Sequence, residues 1–330
     1  MTKGALDGVK IVDLSRMAPG PFCSMMLGDM GADVIKVEAP PTSRIIASKI
    51  INDAETRKKA ASNPLNRNKR SIVLDLKEKD GIKILHQLCQ KADVFIEGFR
   101  PEVVTRLGCN YETIKEINPS IIYCSISGYG QTGPYKDLVG HDVNYISVGG
   151  ALGLIGSKNG TPSIPYNLIA DFAAGGMNAA YSIVCALFSR TNTGRGQKID
   201  TAMSDGVTYL LSAISGEYFN SGLIPKPGQM TLNGGVPYYN VFECQDGKYI
   251  SLGCIEPNFW KNLCSTLNLE QFASSQHNEH EYQLIMRELE ATFKTKKRDE
   301  WWDIFREAED VAAAPVYEFN EVLDDPHMRA

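Results

Sequence analysis

The chain has no Cys-x-x-Cys pair. Its eight cysteines (Cys23, Cys89, Cys109, Cys124, Cys185, Cys244, Cys254 and Cys264) stand singly. That excludes zinc-ribbon and thioredoxin-type motifs and leaves them as small apolar residues suited to a reducing compartment. No Gly-x-Gly-x-x-Gly follows the first strand-like segment, so the dinucleotide fingerprint of nicotinamide dehydrogenases is missing. Positive charge is not in excess: 34 Lys and Arg stand against 39 Asp and Glu, a net charge of −5. No overall field attracts nucleic acid, and an anionic ligand would need a local group of cations. The longest apolar stretch, Asn167 to Phe188, contains Asp171 and many Gly and Ala residues, and it reads as a buried core helix rather than a membrane span. Residues Met1 to Asp7 hold no apolar signal region, so a cytoplasmic chain with no membrane partner is expected. No internal repeat or low-complexity tract is present.

Over the first half of the 330 residues, strand and helix signals alternate. Val9–Leu14, Asp33–Val37, Ser71–Leu76, Asp93–Glu97 and Ile121–Ser127 are short Val/Ile-rich runs. Pro19-Gly20-Pro21 opens a helix through Met30, and another runs from about Lys79 to Lys91. This pattern predicts βαβ units in a parallel sheet, which binds ligands beyond the carboxyl ends of its strands. Residues 41–68 are polar and read as a surface excursion, and residues 142–220 read as mostly helical with a break at Thr193-Gly194-Arg195-Gly196. Alternation from Tyr239 to Cys254 around Gln245-Asp246-Gly247 predicts a hairpin, followed by helices that include Asp299–Ala308. The organisation expected is a large α/β domain over 1–205, a linker over 206–232 and a smaller α+β domain over 233–322. The last residues, 323–330, lack a closing helix or strand, so a return segment cut short is expected.

Two segments carry the chemistry: Gly140-His141-Asp142-Val143-Asn144-Tyr145 and Asn167-Leu168-Ile169-Ala170-Asp171-Phe172. They supply a histidine and a carboxylate thirty positions apart, too far to meet on one helix. A His and an Asp on opposite faces of an acidic C–H can pass a proton across it. The bland alternatives are a surface histidine and a helix-capping aspartate.

Several ordered markers go with these segments. They are Leu14-Ser15-Arg16-Met17-Ala18-Pro19-Gly20-Pro21, Gly31-Ala32-Asp33-Val34-Ile35-Lys36-Val37-Glu38, Asn68 to Lys77, Gly98-Phe99-Arg100-Pro101, Ser127 to Pro134, Thr193 to Gln197 and Cys254-Ile255-Glu256-Pro257. Over nearly its whole length the chain resembles the family III CoA-transferase (CaiB/BaiF-like) superfamily and, within it, the α-methylacyl-CoA racemases. The resemblance implies a Rossmann-like large domain, a smaller domain and an interlocked homodimer. It also implies a function in lipid metabolism on acyl-CoA substrates, with no metal and no cofactor beyond the coenzyme A of the substrate.

The resemblance assigns His141 and Asp171 as an acid/base pair and Glu256 as the carboxylate that holds the histidine. Glu256 could equally just start a helix before Pro257. Leu74, Asp75, Leu76 and Lys77 match a family nucleotide-binding segment. Arg100 and Arg106, flanking a predicted strand end beside Phe99, are candidate phosphate contacts. Gly140, Asp142, Asn144 and Tyr145 would meet the thioester end, with Asp142 as a structural hydrogen-bonder. In one departure, Ala39 stands where the family commonly has an arginine, and Arg44 is the candidate substitute. Backbone N–H groups at the start of the helix carrying Asp171 are expected to hold an enolate oxygen. Gly128, Gly130 and Gly133 read as turn residues, and Trp301 and Trp302 as core or interface. The expected reaction is inversion of the α-carbon of a 2-methylacyl-CoA. The alternatives are CoA transfer through an Asp171 anhydride, or CoA binding without chemistry.

Overall fold

The computed structural model describes residues 3–40, 55, 58 and 61–330. Most of the excursion expected over 41–68, Arg44 included, therefore lies outside the described residues. The chain forms two compact units, Met1–Leu152 with Ile164–Asn220 and Gly153–Ser163 with Ser221–Ala330.

The first unit is built on six strands: β1 Lys10–Asp13, β2 Asp33–Glu38, β3 Lys69–Val73, β4 Val94–Glu97, β5 Ile122–Ser127 and β6 Gln197–Ala202. Every pairing is parallel, in the order β3-β2-β1-β4-β5-β6. Central strands read as unbroken apolar runs because both faces are covered. Val94, Phe95 and Ile96 have no exposed surface. Fully burying each such side chain stabilises the fold by roughly 1.5–3 kcal/mol. The chain winds one way from β1 through β2 to β3 and the other way from β4 outward. The β1/β4 boundary is therefore the topological switch point, where ligands of doubly wound sheets bind.

The helices of this unit are α1 Pro19–Asp29, α2 Lys79–Gln90, α3 Val103–Arg106, α4 Tyr111–Ile117, α5 Asp142–Val148, α6 Asn178–Thr193, α7 Met203–Leu210 and α8 Ser212–Ser221. Three expectations change. β3 ends at Val73, so Leu74–Leu76 leave the sheet, and Asp75 Oδ1 accepts the Lys77 N–H (3.0 Å) to turn the chain toward α2. The segment after Gly196 is an edge strand rather than helix. Its Gln-Lys-Ile-Asp-Thr-Ala sequence is too polar to show a strand pattern, because half of it is exposed. The expected linker is not all connecting chain: it contains most of α7 and all of α8, and residues 206–220 belong to the first unit.

Asp13, at the end of β1, is buried and anchors the turn into α1. Its carboxylate accepts the Ser15 N–H (2.8 Å) and the hydroxyls of Ser15 and Ser24. Lys69 Nζ donates to Ser24 Oγ (2.6 Å) and the Pro21 carbonyl (2.8 Å) and lies 3.6 Å from Asp13. This network fixes the loop that presents Arg16 and Met17.

The second unit packs helices α9 Pro257–Thr266, α10 Tyr282–Phe293 and α11 Arg298–Glu307 with an antiparallel sheet of β7 Tyr239–Glu243, β8 Tyr249–Gly253 and β9 Ala313–Val316. The β7–β8 hairpin falls where the turn signal puts it, with Gly247 at φ +76°. β9 pairs with β8 and is not visible in the sequence. Trp260, Phe242, Phe293 and Trp301 form the core, so Trp301 is a core residue. A single helical turn, Pro326–Arg329, closes the described chain where none was expected. Its Asp-Pro start is a capping signature, and Asp325 Oδ1 accepts from His327 N (2.9 Å) and Met328 N (3.0 Å).

Candidate active site

Beyond the carboxyl ends of β1, β4 and β5, within the first unit, lies an open cleft of about 1020 Å³. Arg16 and Met17 after β1, Gly98, Phe99 and Arg100 after β4, and Ser127 to Tyr129 after β5 line it. His141 and Asp171 line it too, so residues thirty positions apart face one space. Both reach it through paired structural devices.

His141 is the residue immediately before α5. Asn144 Oδ1 accepts its backbone N–H (3.0 Å), and the His141 carbonyl accepts from Asn144 N (2.8 Å). That reciprocal pair fixes the backbone carrying the imidazole. Asp142 is buried and reaches the other catalytic segment: its Oδ2 accepts the N–H groups of Ala170 (2.7 Å) and Asp171 (2.9 Å). It is therefore the structural hydrogen-bonder expected, and it ties the two segments together. The same bonds narrow another expectation. The Asp171 amide, one of the donors expected to hold an enolate oxygen, is taken by Asp142 together with that of Ala170.

Asp171 lies in the first turn of a π-helical stretch, Leu168–Met177, that runs into α6; it does not open the helix. Burial pushes its carboxyl above the ordinary aspartate range. Asp142's negative charge adds to the push, while a hydrogen bond from Asn167 Nδ2 (2.9 Å) and the neighbouring His141 act against it. Asn167 was not singled out in the sequence. Its place four residues before Asp171, on one helix face, was the available signal.

Gly175 and Gly176 let the π-helical stretch sit against α1. A Cβ on Gly176 would lie 2.8 Å from the Pro19 carbonyl oxygen and 2.9 Å from the Phe22 ring. Phe172 packs edge-on against Phe22 at 4.8 Å. π-Helical turns of this kind recur at functional sites.

Tyr145 is buried, and its hydroxyl donates to the Gly140 carbonyl. A Cβ on Gly128 would meet its ring at 2.2 Å, so Gly128 is needed for packing rather than for a phosphate cradle. Burial pushes the Tyr145 phenol up, with Tyr129 and Asp171 adding to this and Arg100 opposing it. Met17 (φ 63°) and Tyr166 (φ 56°) are non-glycine residues in the left-handed region, and both line the cleft. Such strain persists only where its surroundings impose it.

Leu74, Asp75, Leu76, Lys77 and Phe99 line a second, smaller pocket of about 230 Å³, together with Arg16 and Ala39. Arg106 is exposed at the end of α3 and lines neither space, because its turn directs it off the strand end. Glu256 precedes Pro257 at the start of α9 in the second unit, and its side chain makes no capping hydrogen bond.

Among the described residues no group of three or more His, Cys, Asp or Glu side chains is arranged to hold a metal ion. Residues Leu168–Thr193 form a helix long and apolar enough to cross a membrane, yet only 44% of its most apolar stretch is buried. It is a core helix on one face only, through Ala179, Ala180, Ile183, Ala186 and Leu187. One face packs on the unit while Met177, Tyr181, Val184 and Phe188 are exposed along the other.

A family model described as CoA-transferase family III matches residues 6–330. The α-methylacyl-CoA racemase of Homo sapiens is 38% identical over 98% of this chain and 81% of its own length. The succinyl-CoA:glutarate CoA-transferase of Homo sapiens is 32% identical over 98% of this chain and 74% of its own. Among solved structures, a CaiB/BaiF family protein from Brucella suis superposes with a TM-score of 0.80 at 29% identity, covering 99% of this chain and 88% of that one. The chain belongs to CoA-transferase family III.

Proposed function

We propose that the protein is a racemase that inverts the α-carbon of 2-methylacyl-CoA thioesters. The observation that carries this reading is the histidine and the burial-raised aspartic acid lining one cleft. A thioester α-proton is weakly acidic because the electrons of the broken C–H bond move onto the thioester oxygen as an enolate. His141 takes that proton from one face. Asp171, whose carboxyl burial biases toward the protonated form, returns one to the carbon from the opposite face, and the configuration inverts. Turnover in the other direction exchanges the roles. Positioned proton transfer of this kind contributes roughly 10²–10⁴-fold. No electron acceptor is needed, so the proposal includes no cofactor beyond the substrate's own coenzyme A.

Glu256 is proposed to hold the far nitrogen of His141 and so to fix its tautomer. The exposed stripe Met177, Tyr181, Val184 and Phe188, with Tyr209 of α7 near Tyr181, supports a homodimer. The eight free cysteines support a cytoplasmic location.

The second reading is CoA transfer, favoured by the 32% identity to a CoA-transferase. Asp171 would then act as a nucleophile, a role that a raised carboxyl serves less well and that has no need of His141. Incubation with a 2-methylacyl-CoA in D₂O separates the two. Deuterium is expected at the α-carbon, and His141→Ala should slow exchange from one enantiomer more than from the other. Absence of exchange, with CoA moving between acids and hydroxylamine trapping Asp171, would establish the transferase.

A further inference from the structure

We infer that Arg16 is the anchor for the diphosphate of the CoA thioester, set where the nucleotide end of the ligand meets the reacting end. The inference rests on the acyl-CoA reading above and adds to it a residue that the sequence placed in a marker motif but gave no role. Arg16 alone lines all three spaces around the β1 end: the catalytic cleft, the pocket at Leu74–Lys77 and a further one beside Lys36. A single elongated ligand reaching from His141 and Asp171 to the Leu74–Lys77 turn has to pass it.

Its surroundings leave the guanidinium free for an anion. Among the described residues no carboxylate lies within ion-pair distance of it. Glu38, which shares the smaller pocket, is paired with Lys36 at 3.1 Å. The Arg16 guanidinium carbon sits 5.8 Å from the centre of the Phe99 ring, which supports the guanidinium plane while leaving its N–H edges open.

The backbone is poorly equipped for this work here. In doubly wound folds the N–H groups at the start of the first helix hold the diphosphate. In this chain α1 opens Pro19-Gly20-Pro21, and two of those three residues have no N–H to give. The third, Gly20, is glycine for a packing reason, since a Cβ there would lie 2.1 Å from Ser15 Cβ. Phe22 N is already bound to the Ala18 carbonyl (3.1 Å). With two of the three backbone donors missing from this turn, a side-chain cation is the better carrier of the charge, and the forked guanidinium suits paired phosphate oxygens.

The test is calorimetric titration of the full chain with CoA and with pantetheine, which lacks the diphosphate and the nucleotide. Wild-type protein is expected to prefer CoA. Arg16→Ala should weaken CoA binding at least about tenfold, as loss of a charge-assisted contact does, and should shrink the preference for CoA by a similar factor. Arg16→Lys should fall between them, and Arg16→Gln repeats the test should the alanine variant fail to fold. An Arg16→Ala or Arg16→Gln protein that retains the wild-type preference overturns the inference and leaves the acyl-CoA reading standing. A wild-type chain that binds CoA no better than pantetheine also overturns it, and one that binds neither overturns both.

Discussion

At the residue scale, the site is a set of opposed influences on one carboxyl group. Burial and Asp142 raise Asp171, while Asn167 and His141 lower it. Asn167→Leu removes a hydrogen bond that favours the ionised form, so the Asp171 carboxyl should rise further. Asp142→Asn removes a like charge, so it should fall toward the ordinary aspartate range while one acceptor for the residue 170–171 amides is retained. If the protonated form of Asp171 is the active one, activity fades as pH rises through its pKa. The alkaline limb of that titration should therefore move up in Asn167→Leu and down in Asp142→Asn. A pH profile of α-proton exchange checks it, and shifts of the same sign in both variants would contradict it. His141 and Asp171 were legible as residue types in a pattern. The protonation bias was not, because it is set by burial and by a residue 29 positions away in sequence.

At the element scale, the π-helical stretch Leu168–Met177 is held by small residues against α1 and α7. Gly176 faces the Pro19 carbonyl and Phe22, and Gly206 of α7 would place a Cβ 2.5 Å from the Ala174 carbonyl. Gly176→Val should overpack this contact. A loss of about 1–3 kcal/mol is expected, read as a lower denaturant midpoint, with a further fall in exchange rate because Asp171 moves with the helix. Wild-type stability with wild-type rate would show that the contact tolerates a side chain. The strands β1, β2, β4 and β5 were readable because central parallel strands are apolar on both faces. β6 and β9 were not. β6 is a half-exposed edge strand, and β9, Ala-Ala-Pro-Val, is short and contains a proline, permissible only at an edge.

At the scale of the whole molecule, each unit has its own core, and the first leaves an apolar stripe uncovered. Tyr181 and Phe188 are 70% and 71% exposed, and Tyr209 is 77% exposed. Exposed apolar patches of this kind can serve as interaction surfaces. Phe188→Asp combined with Tyr181→Asp should convert the proposed homodimer to a monomer in sedimentation velocity, with exchange activity falling in parallel if Glu256 acts across that interface. A dimer that survives both changes would place the interface elsewhere. The sequence by itself determined the fold class and the ligand-binding edge of the sheet, and it supplied His141 and Asp171 as the candidate acid/base pair. The first two follow from local periodicity, which a chain carries wherever it goes, and the third from the motifs that carry the family resemblance. Only the tertiary structure decided that Asp142 takes the amides of Ala170 and Asp171, that Arg106 lines neither pocket and that Arg16 lines both. Those outcomes depend on which segments become neighbours in space, and that is fixed by packing across the sheet rather than by order along the chain.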